Sequence, residues 1–82
     1  MPTVLRIGRL RVAIYPNDHR PAHVHVMGQG NEAVFILSRR RHSAIFRENY
    51  GFPKRRLVRI ETVLIDNLDL LLTAWERIHG AA

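Results

Sequence analysis

Apolar side chains recur at every second position along the first part of the chain and at every third or fourth position along its last third. Residues 4–7 and 10–15 are rich in strand-forming side chains and are separated only by Gly8 and Arg9, which predicts a tight hairpin. In the second run Leu10, Val12 and Ile14 alternate with Arg11, Ala13 and Tyr15, the period of a half-buried strand. Residues 16–21 (PNDHRP) are turn chemistry, with two prolines bracketing Asn17 and Asp18. Residues 22–27 read as a third strand, with Val24 and Val26 on one face and His23 and His25 on the other. Residues 28–31 (GQGN) predict a second hairpin turn. Residues 32–38 (EAVFILS) form a run apolar on both faces, which places that strand inside the sheet.

From residue 39 to residue 52 the alternation is lost, and the segment reads as a basic loop ending in Tyr50, Gly51 and Phe52. Pro53 suits a first helical position, and Leu57, Ile60, Leu64, Leu68, Leu71, Trp75 and Ile78 then recur at spacings of three and four, predicting a helix over 53–79. Unbroken, such a helix would run for ~39 Å at about 1.5 Å per residue, far longer than the strands beneath it. Residues 66–69 (DNLD) supply capping side chains at which it can kink or split. Val58, Ile65 and Leu72 make a second stripe, which predicts either a helix-mediated partner surface or one compact core.

These elements predict one α+β domain over residues 1–82: a small, mostly antiparallel sheet of about four strands (1–38), a basic loop (39–52) and a long, kinked or split C-terminal helix covering the sheet (53–79). A chain of 82 residues is near the lower size that buries enough surface to fold alone, so a homodimer or heterodimer is expected. A hydrophobic content of 46% excludes a disordered chain. The absence of cysteine excludes disulfides and thiolate zinc sites, so any metal must be held by His, Asp or Glu. The opening MPTVLRIGRL lacks the apolar run of a signal peptide and no stretch is long enough to span a bilayer. A cytoplasmic protein without membrane contact is expected.

The formal charge of +6 is unevenly spread. Arg39, Arg40, Arg41, Arg47, Lys54, Arg55, Arg56 and Arg59 face only Glu48 in the middle of the chain, whereas Glu61, Asp66, Asp69 and Glu76 make the following segment acidic. A basic patch of this kind attracts phosphate backbones or an acidic partner. Lys54 is the only lysine, and the planar guanidinium fork favours bidentate contacts to phosphate. The helix charges oppose the macrodipole, so the cationic start carrying Lys54, Arg55, Arg56 and Arg59 reads as a phosphate site. With Arg20, Arg39, Arg40 and Arg41 these residues form the expected nucleic-acid-binding set, RNA being favoured.

The stretch DHRPAHVHV, residues 18–26, holds His19, His23 and His25. Two residues apart on a strand, His23 and His25 project to the same side roughly 6.6–6.8 Å apart along the chain. Three readings follow. The imidazoles act as general acid and base on a phosphodiester, with His19, His23 and His25 as catalytic candidates and no cofactor. Alternatively Asp18, His19, His23 and His25 supply ligands for a divalent metal. Otherwise the histidines are the polar face of an ordinary strand. His42 and His79 read as isolated surface residues, and Trp75, Phe35 and Leu37 as core.

The stretches MPTVLRIG, NDHRPAHVHV, EAVF, NYGF and LLTAWERIHG, in this order and near these spacings, resemble a small bacterial family, the domain of unknown function numbered four-one-six-zero. The likeness covers almost the whole chain, and the family's motif falls on Asp18, His19, Pro21, His23 and His25. Ala22 stands where that motif has a second proline, Pro53 where a polar helix cap is usual, and the basic segment after Arg39 is longer than is typical. The resemblance implies a compact α+β domain of toxin–antitoxin type with a small partner protein encoded nearby, and it implies no established reaction. The expectation is thus a small RNA-binding protein of that type with histidine-dependent ribonuclease activity. The alternatives are a non-enzymatic module binding a protein or operator DNA through the helix and basic surface, and a His/Asp metal-binding domain.

Overall fold

The computed structural model describes residues 3–80. Five strands, β1 (Thr3–Ile7), β2 (Leu10–Ala13), β3 (His23–Gly28), β4 (Asn31–Ser38) and β5 (Ser43–Tyr50), form one antiparallel sheet in which spatial order follows chain order. Two helices, α1 (Lys54–Asp66) and α2 (Leu68–His79), follow and pack on one face of it. The α+β class is as expected, but the sheet has five strands, not four.

The pairing of Val12 with Val26, and of Val24 with Phe35, puts these side chains on the helix-covered face. There they meet Leu57, Ile60, Leu64, Leu68, Leu71 and Trp75 in a single core. β4 lies between β3 and β5, and its neighbouring residues Val34 and Phe35 are both buried, as a strand apolar on both faces requires. Gln29 and Gly30 both take positive φ between the paired Gly28 and Asn31, the geometry of a two-residue hairpin turn that follows the sheet's twist.

The segment read as a basic loop is the main correction. Residues 39–42 make a short turn, and β5 runs beyond it along the edge of the sheet, with Ala44 buried against the core. Phe46 pairs with Phe35 and Glu48 with Val34, so Arg47 is an extra residue, a bulge that reverses the in-out alternation. The opposite edge carries the same irregularity, since Val4 is skipped between the pairs Thr3 with Ala13 and Leu5 with Val12. Asn49 then folds the chain toward α1: its amide donates to the Phe52 carbonyl at 2.9 Å and its carbonyl accepts from the Phe52 N–H at 3.1 Å.

The predicted long helix is two helices, parted at Asn67 within the DNLD stretch. The Asn67 amide donates to the Val63 carbonyl at 2.8 Å, closing the end of α1, while the Asn67 carbonyl accepts from Leu71 in the first turn of α2. The break separates the second apolar stripe. Leu72 is buried and Val58 is exposed, so the stripe is not one continuous surface.

Candidate functional site

Tyr15, Pro16, Asn17 and Asp18 form a turn closed by the Asp18 N–H donating to the Tyr15 carbonyl at 3.0 Å. The Asp18 carboxylate accepts in return from the Tyr15 N–H at 2.9 Å. This local exchange fixes the carboxylate beside the start of β3, where the strand presents its two histidines. His25 Nε2 lies 3.2 Å from both Asp18 oxygens, and His23 Nε2 lies 3.6 Å from Oδ1. Asp18, His23 and His25 thus bring three ligand-type atoms within 4.8 Å of one another.

The outer nitrogens of the two rings differ in their surroundings. His23 Nδ1 lies 2.9 Å from the Pro21 carbonyl oxygen, which can only accept, so Nδ1 carries the hydrogen. His25 Nδ1 is buried without a hydrogen-bond partner, and the nearest carboxylate is that of Glu32 at 3.7 Å. Burial alone would raise the pKa of Asp18. Donation from Tyr15, the bond to His25 and the charges of His25 and His23 outweigh it, and the carboxyl is held below its usual range. Rings pack around the cluster: Tyr15 stands edge-on to His25 at 4.9 Å, His23 lies 5.3 Å from Trp75, and His79 lies 4.0 Å from Trp75.

The profile of the family described as Domain of unknown function (DUF4160) matches residues 10–76, which contain the whole of this cluster. The chain belongs to that family. Comparison with curated proteins and with solved structures returns no match.

The DUF4160 domain gathers only part of the expected site. Among the described residues His19 is exposed and outside the cluster, while Asp18, expected only as a metal ligand, stands at its centre. His79 is not an isolated surface residue: its Nε2 is buried and its ring packs on Trp75. Tyr15, Glu32 and the Pro21 carbonyl were not legible as parts of a site, since each acts through a contact that only the folded loop and the strand register create.

The expected nucleic-acid-binding arginines do not form one surface in the DUF4160 domain. Arg39 lies 3.4 Å from both Asp69 and Glu76 on α2, so its charge is balanced within the chain. Arg20 donates to the Gly80 carbonyl at the end of α2. Arg40 and Arg41 are exposed in the turn before β5, near the histidine end of the sheet. Arg56 and Arg59 belong to the other end, where they line a cleft with Arg9 and Gln29. From His23 to Gln29 the chain covers roughly 20 Å at 3.3 Å per residue, which separates this cleft from the histidines.

Proposed function

We propose that this protein is a divalent-metal domain in which Asp18, His23 and His25 are the ligands. The observation that carries the reading is the aim of His23. With its Nδ1 hydrogen committed to Pro21, the neutral ring turns a lone pair toward the Asp18 carboxylate, an acceptor facing an acceptor at 3.6 Å. Such a pair is stable with a cation between the two atoms, either a proton on Nε2 or a metal ion.

The spacing supports the metal. Ligands about 2.0–2.1 Å from a tetrahedral ion stand roughly 3.3 Å from one another. The contacts from Asp18 to His25 at 3.2 Å and to His23 at 3.6 Å fall on either side of that edge length, and all three ligand atoms lie within 4.8 Å of one another, so small ring movements would complete the set. His23 makes the second contact usual for a metal-bound imidazole, to a backbone carbonyl, and a carboxylate, that of Glu32, lies 3.7 Å from the outer nitrogen of His25. Two nitrogens and one oxygen suit zinc and other first-row divalent ions, and three protein ligands leave a position for water. An ion held by Asp18, His23 and His25 would supply Lewis-acid activation of water for hydrolysis.

The acid–base reading has less support. Its two imidazoles must flank a phosphodiester, whereas here both aim at one carboxylate and His23 is only 5% exposed.

The test is titration of untagged protein with Zn²⁺ and Co²⁺, read by calorimetry and by the fluorescence of Trp75, the only tryptophan. One ion per chain is expected. Co²⁺ is expected to quench Trp75, whose ring is 5.3 Å from His23. His25→Ala and Asp18→Asn should each abolish both signals, with retained circular dichroism showing that the fold survives. Failure of the parent protein to reach a saturable 1:1 complex overturns the assignment.

A further inference from the structure

The end of the sheet opposite the histidines carries a second site, independent of the metal reading. There the turn between β1 and β2 and the turn between β3 and β4 approach α1, enclosing a cleft of about 270 Å³. Arg9, Arg56, Arg59 and Gln29 line it, with Leu10 and Ile60 buried at its base. Arg9 comes from the turn between β1 and β2 and Arg56 and Arg59 from α1, and no carboxylate lines the cleft. Among the described residues none of the three arginines forms an ion pair, in contrast to Arg39 with its two acidic neighbours. Arg56 is oriented: it donates to the Gln29 side-chain carbonyl at 3.4 Å, and its guanidinium lies 5.9 Å from the centre of the Phe52 ring.

Three unpaired guanidinium groups around an apolar floor repel one another, so stability does not account for their placement. An anion with several oxygens relieves that repulsion, and planar forks match phosphate oxygens in bidentate fashion. The adjoining start of α1 reinforces the field, having no side-chain cap and no acidic residue in its first turn, while Lys54 and Arg55 are exposed there. The volume lies just below the roughly 300–1,000 Å³ of pockets that enclose a drug-sized ligand. The cleft therefore suits one phosphate of a longer chain rather than a whole enclosed ligand.

We propose that this cleft is a phosphate-backbone site for nucleic acid, in which Arg9, Arg56 and Arg59 hold a phosphodiester without reading base identity. Neither Arg39 nor the histidines contribute to it.

The experiment measures binding of a fluorescein-labelled single-stranded RNA of mixed sequence, by anisotropy, across a series of salt concentrations. A DNA of the same sequence and free pyrophosphate are run in parallel. Each lost phosphate contact lowers the slope of log K against log salt by about 0.7 for a single strand. Arg9→Ala and Arg59→Ala are each expected to lower it, and the double variant, which removes the site's one phosphate contact, by about 0.7 in all. Arg40→Ala removes an equal charge at the other end of the sheet and should leave the slope unchanged. Arg59→Lys keeps the charge and should restore the slope with weaker binding; a thermal melt of each variant confirms an intact fold. Similar binding of RNA and DNA is expected of a backbone reader. Equal slope losses for Arg40→Ala and Arg59→Ala would overturn the proposal, reducing it to diffuse charge. Saturable binding of pyrophosphate with no binding of either polymer would overturn it also, assigning the cleft to a small phosphorylated ligand.

Discussion

His23 gives its Nδ1 hydrogen to the Pro21 carbonyl and so directs Nε2 at the Asp18 carboxylate, 3.6 Å away. A metal and a proton therefore compete for one position. Binding of Zn²⁺ is expected to release protons and to weaken as the pH falls. Calorimetry in buffers of different ionisation enthalpy measures the release. An apparent enthalpy that does not change with the buffer would count against His23 as a ligand.

Asp18 makes metal-free stability depend on pH. Its folded pKa lies below the ordinary carboxylate value, because donation from Tyr15 and His25 outweighs burial. The unfolded chain therefore binds the proton more readily, and the stabilisation is complete above the unfolded pKa and is lost as the pH falls through the folded one. Urea unfolding in chelator should show Asp18→Asn to be less stable than the parent near neutral pH, with the gap closing in acid. A gap that widens on acidification would reverse the assigned sign.

Glu32 is expected to act through His25. Its carboxylate lies 3.7 Å from the buried Nδ1, which would carry the hydrogen once Nε2 bound a metal and could then donate to it. Glu32→Gln should weaken Zn²⁺ affinity by roughly 10-fold. Because Glu32 is exposed, the variant should melt with the parent in the absence of metal. Unchanged affinity would make Glu32 a bystander.

Asn67 joins the helices by closing α1 with its side chain and opening α2 with its carbonyl. Asn67→Ala removes the side-chain bond and should cost about 0.5–1.5 kcal/mol in urea unfolding, without altering metal binding. A cost within error of zero would show that the break rests on backbone bonding alone.

Most of the sheet was legible because β2 and β3 alternate, as Val12, Val24 and Val26 show on the core face, and β4 is a bounded run apolar on both faces. β5 was not legible. Arg47 is inserted between Phe46 and Glu48, so the period changes phase in mid-strand, and the strand also exposes Ile45 and Tyr50 at the edge. The site divided in the same way. His23 and His25 were read from their spacing along one strand. Glu32 reaches His25 through strand register, and Trp75 reaches His23 from a helix more than 50 residues further on, relations that no local window contains.

The two bulged residues bear on how crowded copies of the chain behave. An open five-stranded sheet offers two rows of unused peptide groups, each a template onto which another chain can crystallise, and Ile45, Phe46 and Tyr50 make one of them sticky. Val4 and Arg47 each break the repeat of such a row, one on each border of the sheet. Arg47 does so with a charge amid those apolar neighbours. A stack growing by strand addition would meet a mismatch at every joint, so the same irregularity that hid β5 from its sequence pattern also guards the molecule against fibre growth.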